Sequence, residues 1–208
     1  MENKAAFGRL FLCVSVQVRV EDSRNFHVRE QQKTPSEPSL ERTREALPRV
    51  RIRPFADRDE FRSWCERLAE LYREAYRDLQ NYAYREKPQI LRYLDWLYDG
   101  DPEHFYVAWN EGGEPVGFIS GHSRWLDEDL GQVGNIHEMV VHPDWRGRGV
   151  GRALFDRLAA DLAAENPVLI LWVGEGNHRA RAMYERRGFK EIGRQGKWIK
   201  MMRESSSV

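Results

Sequence analysis

The segment Ile136-His-Glu-Met-Val-Val-His-Pro-Asp-Trp-Arg146-Gly-Arg-Gly-Val-Gly151 constrains this chain more than any other. Its apolar beginning reads as a buried strand, His142-Pro143-Asp144 stops that strand, and from Arg152 onward apolar residues recur at helical spacing. Gly147, Gly149 and Gly151 therefore sit where a helix begins. Lacking Cβ atoms, they let the backbone approach a ligand closely, while the first helical turn leaves N–H groups without intrahelical partners and the helix dipole favours negative charge. Arg146, Arg148 and Arg152 add charge of the matching sign, so the loop reads as a phosphate cradle; a flexible strand-to-helix turn is the alternative. No Gly-Lys-Ser/Thr follows, which excludes a P-loop, and Arg152 stands where the dinucleotide fingerprint requires glycine.

A second segment, Asn177-His-Arg-Ala180-Arg-Ala-Met-Tyr184-Glu-Arg-Arg-Gly188-Phe189, decides between these readings. Arg146-x-x-Gly149-x-Gly151 resembles the acetyl-CoA pyrophosphate loop of the GNAT superfamily of acyltransferases. Asn177-x-x-Ala180-x-x-x-Tyr184-x-x-x-Gly188-Phe189 is similar at every position to that family's second cofactor segment. The resemblance implies an α/β (α+β) GNAT acyl-CoA N-acyltransferase fold, with a mixed central sheet of about six to seven strands flanked by about four helices. It also implies acetyl-CoA as co-substrate, no metal, and direct attack through a tetrahedral intermediate by a primary amine of a small molecule or protein. A GNAT-fold acyl-CoA binder without turnover, acting as a sensor or interaction protein, is the alternative.

At 208 residues the chain suits one domain with some extra length. Lys plus Arg and Asp plus Glu are equal at 33 each, so no net field points to nucleic acid or an acidic membrane as partner. Cys13 and Cys65 give neither a disulfide framework nor a zinc spacing, and the histidines lack metal-site spacing, which suits a reduced, cytoplasmic setting. The apolar run within residues 10–20 is about half of what a membrane span needs, and it lacks a signal peptide's flanks and cleavage site. Residues 30–49 turn polar around Gln-Gln-Lys-Thr-Pro-Ser-Glu-Pro-Ser and read as linker, so residues 1–49 form a poorly ordered extension and residues 50–205 the domain.

Within the domain, Val50-Arg-Ile-Arg-Pro-Phe alternates as a half-buried strand does, and Asp57 caps a helix from Arg58. Helical spacing continues through Phe61, Trp64, Leu68, Leu71 and Tyr72, and again through Ile90, Leu94, Leu97 and Tyr98. A hairpin follows around Glu111-Gly112-Gly113, and its meander continues into a strand over residues 135–142. Pro167-Val-Leu-Ile-Leu-Trp-Val173 reads as a strand buried on both faces, joined to the cradle strand by a right-handed crossover. Gly188 ends the last helix, and two closing strands follow.

The resemblance assigns roles residue by residue. Backbone groups of Met139, Val140 and Val141 would hold the pantetheine arm, with the Met139 N–H donating to the thioester oxygen as it becomes negative. Arg146, Gly147, Arg148, Gly149, Val150, Gly151 and Arg152 would hold the pyrophosphate. Tyr184 would give a proton or hydrogen bond to the departing thiolate, and Asn177 would bond the pantetheine or pyrophosphate while capping its helix. Glu138 is the candidate general base, with His137 the alternative if a bulge exchanges their faces, and Asn135 able only to orient water. The arginines around residues 179–190 read as a solvated helix face, so nucleic acid is not expected as a partner. Acceptor choice would fall to Tyr72, Tyr76, Tyr82, Tyr84, Tyr93 and Trp96, with Tyr82 and Tyr84 in a lid between two helices. Asp127-Glu128-Asp129 is either a rim that draws a cationic amine or a wet turn. Homodimerisation stays open.

Overall fold

The structure, a computed structural model, describes residues 13–14 and 49–205. All but residue 49 of the linker read over residues 30–49, and most of the N-terminal apolar run, lie outside the described residues. The strands are β1 (Cys13–Val14), β2 (Arg51–Pro54), β3 (Phe105–Trp109), β4 (Pro115–Asp127), β5 (Gly131–Val141), β6 (Val168–Gly174), β7 (Lys190–Gln195) and β8 (Trp198–Glu204). The helices are α1 (Arg58–Ala75), α2 (Lys87–Gly100), α3 (Val150–Glu165) and α4 (His178–Glu185). The sheet runs β2-β3-β4-β5-β6-β8-β7, with β1 alongside β5.

Local chemistry explains the helix ends. Asp57 Oδ1 accepts from the Asp59 and Glu60 amides at 3.0 and 2.8 Å, satisfying two of the donors that open α1. At the other extreme, Gly188 adopts φ +83, the Phe189 amide bonds Tyr184 O at 3.1 Å and the Gly188 amide bonds Glu185 O at 3.0 Å. That pattern closes α4 and turns the chain into β7.

The sheet separates two cores. On one face α1 and α2 bury Phe61, Leu68, Leu71, Tyr72, Ile90, Leu94 and Leu97 against Phe105, Val107, Phe118 and Val140. On the other, α3 packs Leu154, Phe155, Leu158 and Leu162 against Ile119, Ile136, Met139 and Leu169, with Tyr184 and Phe189 alongside. Each such side chain contributes about 1.5–3 kcal/mol when fully buried, so both layers are held by apolar area.

Two irregularities shape the middle of the sheet. β5 pairs with the parallel strand β6 only where Gly134, Asn135 and Ile136 face Leu169, Ile170 and Leu171; beyond these the two strands run on without pairing. Between β4 and β5 the register passes from Ser120↔Glu138 to Gly121↔Ile136, leaving His137 as an extra residue. β1 lies on the freed edge of β5, parallel to it, with Cys13 opposite Glu138 and Val14 opposite Met139.

The meander strands are longer than the apolar pattern implied. β4 extends to Asp127 and β5 begins at Gly131, because the far end of this hairpin is a ribbon of exposed and half-buried residues, Arg124 to Asp127 and Gly131-Gln132, in which polar and apolar residues do not form a continuous apolar run. Asp127 Oδ1 accepts from the Asp129 and Leu130 amides in its turn, and the carboxylate pairs with Lys200 Nζ at 2.7 Å. Asp127 is thus occupied by a cation of the protein itself.

Candidate active site

The loop between β5 and α3 carries the geometry its glycines demand. Gly147 and Gly149 have φ +76 and +85, conformations that cost other L-residues about 1–2 kcal/mol, and a Cβ on either would meet open space rather than protein. Gly149 is the N-cap of α3, and no side chain caps that end. Arg146 turns inward: Nη2 donates to Ala75 O at 2.6 Å and Nε to Val141 O at 3.2 Å, tying the loop to the end of α1. Arg148 lies over the Trp145 ring, and Arg152 pairs with Asp156 at 3.3 Å. Val150 is buried against the core, while Gly151 is half-buried at the first turn.

Met139, Val140 and Val141 are buried, Met139 and Val141 toward α3 and Val140 toward α1 and α2. Their strand edge faces the gap that β6 leaves open and β1 partly lines. Asn177 caps α4 through Oδ1, which accepts from Ala180 N at 3.2 Å. Tyr184 is fully buried, its ring 5.6 Å from Phe155 and 6.0 Å from Phe189.

The extra residue at His137 turns both His137 and Glu138 toward α1 and α2. Glu138 Oε1 accepts from the Tyr76 hydroxyl at 2.9 Å and from the Met139 amide at 3.1 Å. Burial pushes its carboxyl up to about 8, and hydrogen bonds from Tyr76, Met139 and Tyr93 only partly offset that. His137 meets a different set of partners. Its Nε2 lies 3.0 Å from His122 Nδ1, and its ring stands 5.0 Å from Trp96 and 4.8 Å from Trp125. Burial holds His137 well below the usual imidazole range and His122 at about 4, so both rings are neutral near pH 7. Of the two acid–base candidates, only Glu138 is held by the tyrosines of the α1–α2 layer.

The family model described as Acetyltransferase (GNAT) family matches residues 65–189. The chain belongs to the GNAT family. An uncharacterized N-acetyltransferase of Methanocaldococcus jannaschii is 34% identical over 155 residues, 73% of this chain and 68% of that protein. The crystal structure of PH1933 from Pyrococcus horikoshii OT3 matches at TM-score 0.69 and 30% identity, covering 76% of this chain and 100% of that one. PaiA N-acetyltransferase from Thermoplasma acidophilum, in complex with coenzyme A, matches in fold at TM-score 0.58 and 16% identity, covering 75% of this chain and 99% of that one. As a GNAT protein the chain is an acyltransferase.

Coenzyme A, which GNAT membership implies, suits these residues: left-handed glycines border open space, the α3 N-terminus lacks a side-chain cap, and β5 presents an edge that β6 does not use. Two of the arginines near α4 are engaged within the protein. Arg181 pairs with Glu185 and Glu191, and Arg187 with Asp156. Among the described residues no group of three or more His, Cys, Asp or Glu could hold a metal ion, and no helix is long and apolar enough to cross a membrane.

Sequence reasoning missed the partnership of Tyr76 and Tyr93 with Glu138, and the His122–His137 pair. Tyr76 and Tyr93 stood out only as aromatics on the acceptor side; no local pattern ties either to a carboxylate on a distant strand. The alternation of β5, broken by one inserted residue, hid the shared direction of His137 and Glu138.

Proposed function

We propose that this GNAT protein is an acetyl-CoA-dependent N-acetyltransferase of the cytoplasm, transferring acetyl to a primary amine of a small molecule or a protein. The single observation that carries the mechanism is the buried Glu138 carboxyl, raised to about 8 beside the edge of β5 that β6 leaves unpaired. An alkyl ammonium loses its proton near pH 10.4, so a carboxyl at that level accepts the proton far more readily than an ordinary glutamate with a value of about 4.3.

Acetyl-CoA, when bound, supplies the activated thioester. The glycine loop and the α3 N-terminus receive its pyrophosphate, and the amides of residues 139–141 align the arm along β5. Glu138 takes the amine's proton. A neutral carboxyl is a weaker acceptor than a carboxylate, so proton uptake loosens its hold on the Met139 amide, which turns to the developing oxyanion. Tyr184 protonates the leaving thiolate as the C–S bond breaks, and the second proton shed by the amine nitrogen restores the Tyr184 hydroxyl. Asn177 orients the helix that presents it.

Thiol release from acetyl-CoA over a panel of polyamines, amino acids and N-terminal peptides tests the reading, with saturable turnover of at least one acceptor expected. Absence of any saturable coenzyme A binding refutes it. Within an active protein, Tyr184→Phe lowers kcat while leaving the acetyl-CoA KM nearly unchanged; an unaltered kcat removes Tyr184 as the acid.

A further inference from the structure

Three consecutive residues at the end of α1 each reach the stretch that runs from β5 into the glycine loop. Glu74 Oε2 lies 3.1 Å from His142 Nε2, Ala75 O accepts from Arg146 Nη2 at 2.6 Å, and the Tyr76 hydroxyl donates to Glu138 Oε1 at 2.9 Å. The first two contacts belong to the segment that leads into α3, the third to the candidate base. One helix end therefore links the two.

The middle contact answers a need of the helix itself. The last carbonyls of a helix have no intrahelical partner, and that end favours a cation. Beyond Ala75 the amides of the chain go elsewhere, Arg77 N–H to Glu74 O at 3.4 Å and Leu79 N–H to Tyr76 O at 2.9 Å. Arg146 takes the carbonyl between them. Its Nε also holds Val141 O at 3.2 Å, so one planar fork joins the end of α1 to the end of β5. The guanidinium is half-buried, and Asp78 of the α1–α2 loop and Arg179 of α4 are the charges that face it. A residue that the glycine-loop motif marks for pyrophosphate thus directs two of its donors at protein carbonyls.

We propose that Arg146 is a positioning residue for the general base: by fixing the end of α1 against β5, it holds the Tyr76 hydroxyl on Glu138. The inference rests on the reading of Glu138 as that base. Ala75 and Tyr76 are neighbours in the chain, so any shift of the carbonyl that Arg146 holds passes directly to the backbone that carries the Tyr76 ring. Hydrogen bonds weaken steeply away from their best angle, so a small displacement there loosens the hold on Glu138. The other groups around Glu138 are anchored separately: the Met139 amide on its own strand, Tyr93 on α2, Ser120 opposite it on β4 and Cys13 opposite it on β1.

The test follows the Glu138 carboxyl itself, by carbon NMR of the full chain labelled at its glutamate carboxyls, with the Glu138 signal assigned by its loss in Glu138→Gln. In Arg146→Met the Tyr76 bond loosens, and the titration midpoint of Glu138 moves up by about half a unit or more, the direction that a weakened hydrogen bond to the charged form requires. In a Tyr76→Phe background the same substitution moves it no further, because the bond through which Arg146 acts is already gone. Where thermal melting shows that Arg146→Met has not folded, Arg146→Lys serves the same comparison, since an ammonium lacks the fork. An unmoved midpoint in the folded variant, or an equal shift with and without the Tyr76 hydroxyl, overturns the proposal. The pH dependence of turnover in the same proteins keeps the two readings apart. Carboxyl midpoints that move while the pH–rate profiles stay in place refute Glu138 as the base and leave the hold of Arg146 on Tyr76 standing.

Discussion

The Tyr76 hydroxyl donates to the Glu138 carboxyl across 2.9 Å, joining the end of α1 to the middle of β5 over 62 positions of sequence. This bond and burial act in opposite directions on one proton. Burial prevails and lifts Glu138 to about 8, so at pH 7 most of the carboxyl is protonated.

The first prediction concerns pH. A protonated Glu138 cannot accept the amine's proton, so kcat/KM for the acceptor rises with pH and levels near 8. Direct loss of a proton from the amine to water would carry the rise on toward about 10. Glu138→Gln removes the levelling near 8 and lowers turnover about 10²–10⁴-fold. Initial rates between pH 6 and 10 check both; a wild-type profile that ignores pH 8 counts against Glu138.

Tyr76→Phe isolates the opposing effect. The Tyr76 hydrogen bond pulls the Glu138 carboxyl down, so its loss moves the midpoint of the pH–rate profile to higher pH. The variant also loses about 1 kcal/mol of stability, read from urea unfolding. A midpoint that stays in place means that Tyr76 only packs.

Val14 and Cys13 lie along the part of β5 that the proposed cofactor arm needs. A chain in which that edge is taken for a fraction of the time shows a correspondingly weakened apparent affinity. Deleting residues 1–48 is therefore expected to lower the acetyl-CoA KM, with little change in kcat. Steady-state kinetics of the two chains decide it.

The Asp127–Lys200 pair supports a stability prediction. Their side chains are only 8% and 10% exposed, so Lys200→Met leaves a carboxylate with little water and no cation beside it. A loss of about 3 kcal/mol is expected in denaturant unfolding. Joint replacement, Asp127→Leu with Lys200→Met, recovers most of it.

What the sequence disclosed and what it withheld divide by range. Asp57, Gly149 and Gly188 act on neighbours within a few residues, and each marks its helix end in the chain itself. The run from Val168 to Gly174 announces a buried strand by composition. The family motifs are likewise short and contiguous. By contrast, the close packing of Tyr82 on Gly174 and Gly176 depends on segments some ninety residues apart, and the glycines alone look like ordinary loop residues. The bulge at His137 is one residue of mismatch between two strands, visible only once β4 lies beside β5. Asp127 looked free until β8 brought Lys200 to it.

The three-residue union of β5 with β6 has a mechanical side. The N-terminal and C-terminal halves of the sheet share a short seam, reinforced from one face by α3, and a fluctuation that parts them starts at the gap. A bound ligand laid along β5 adds rungs where the seam is weakest. It then acts as a splice as well as a reagent: at a hundred times its dissociation constant it adds about 2.7 kcal/mol to the folded state, and removing it concentrates opening motions at a single line through the molecule.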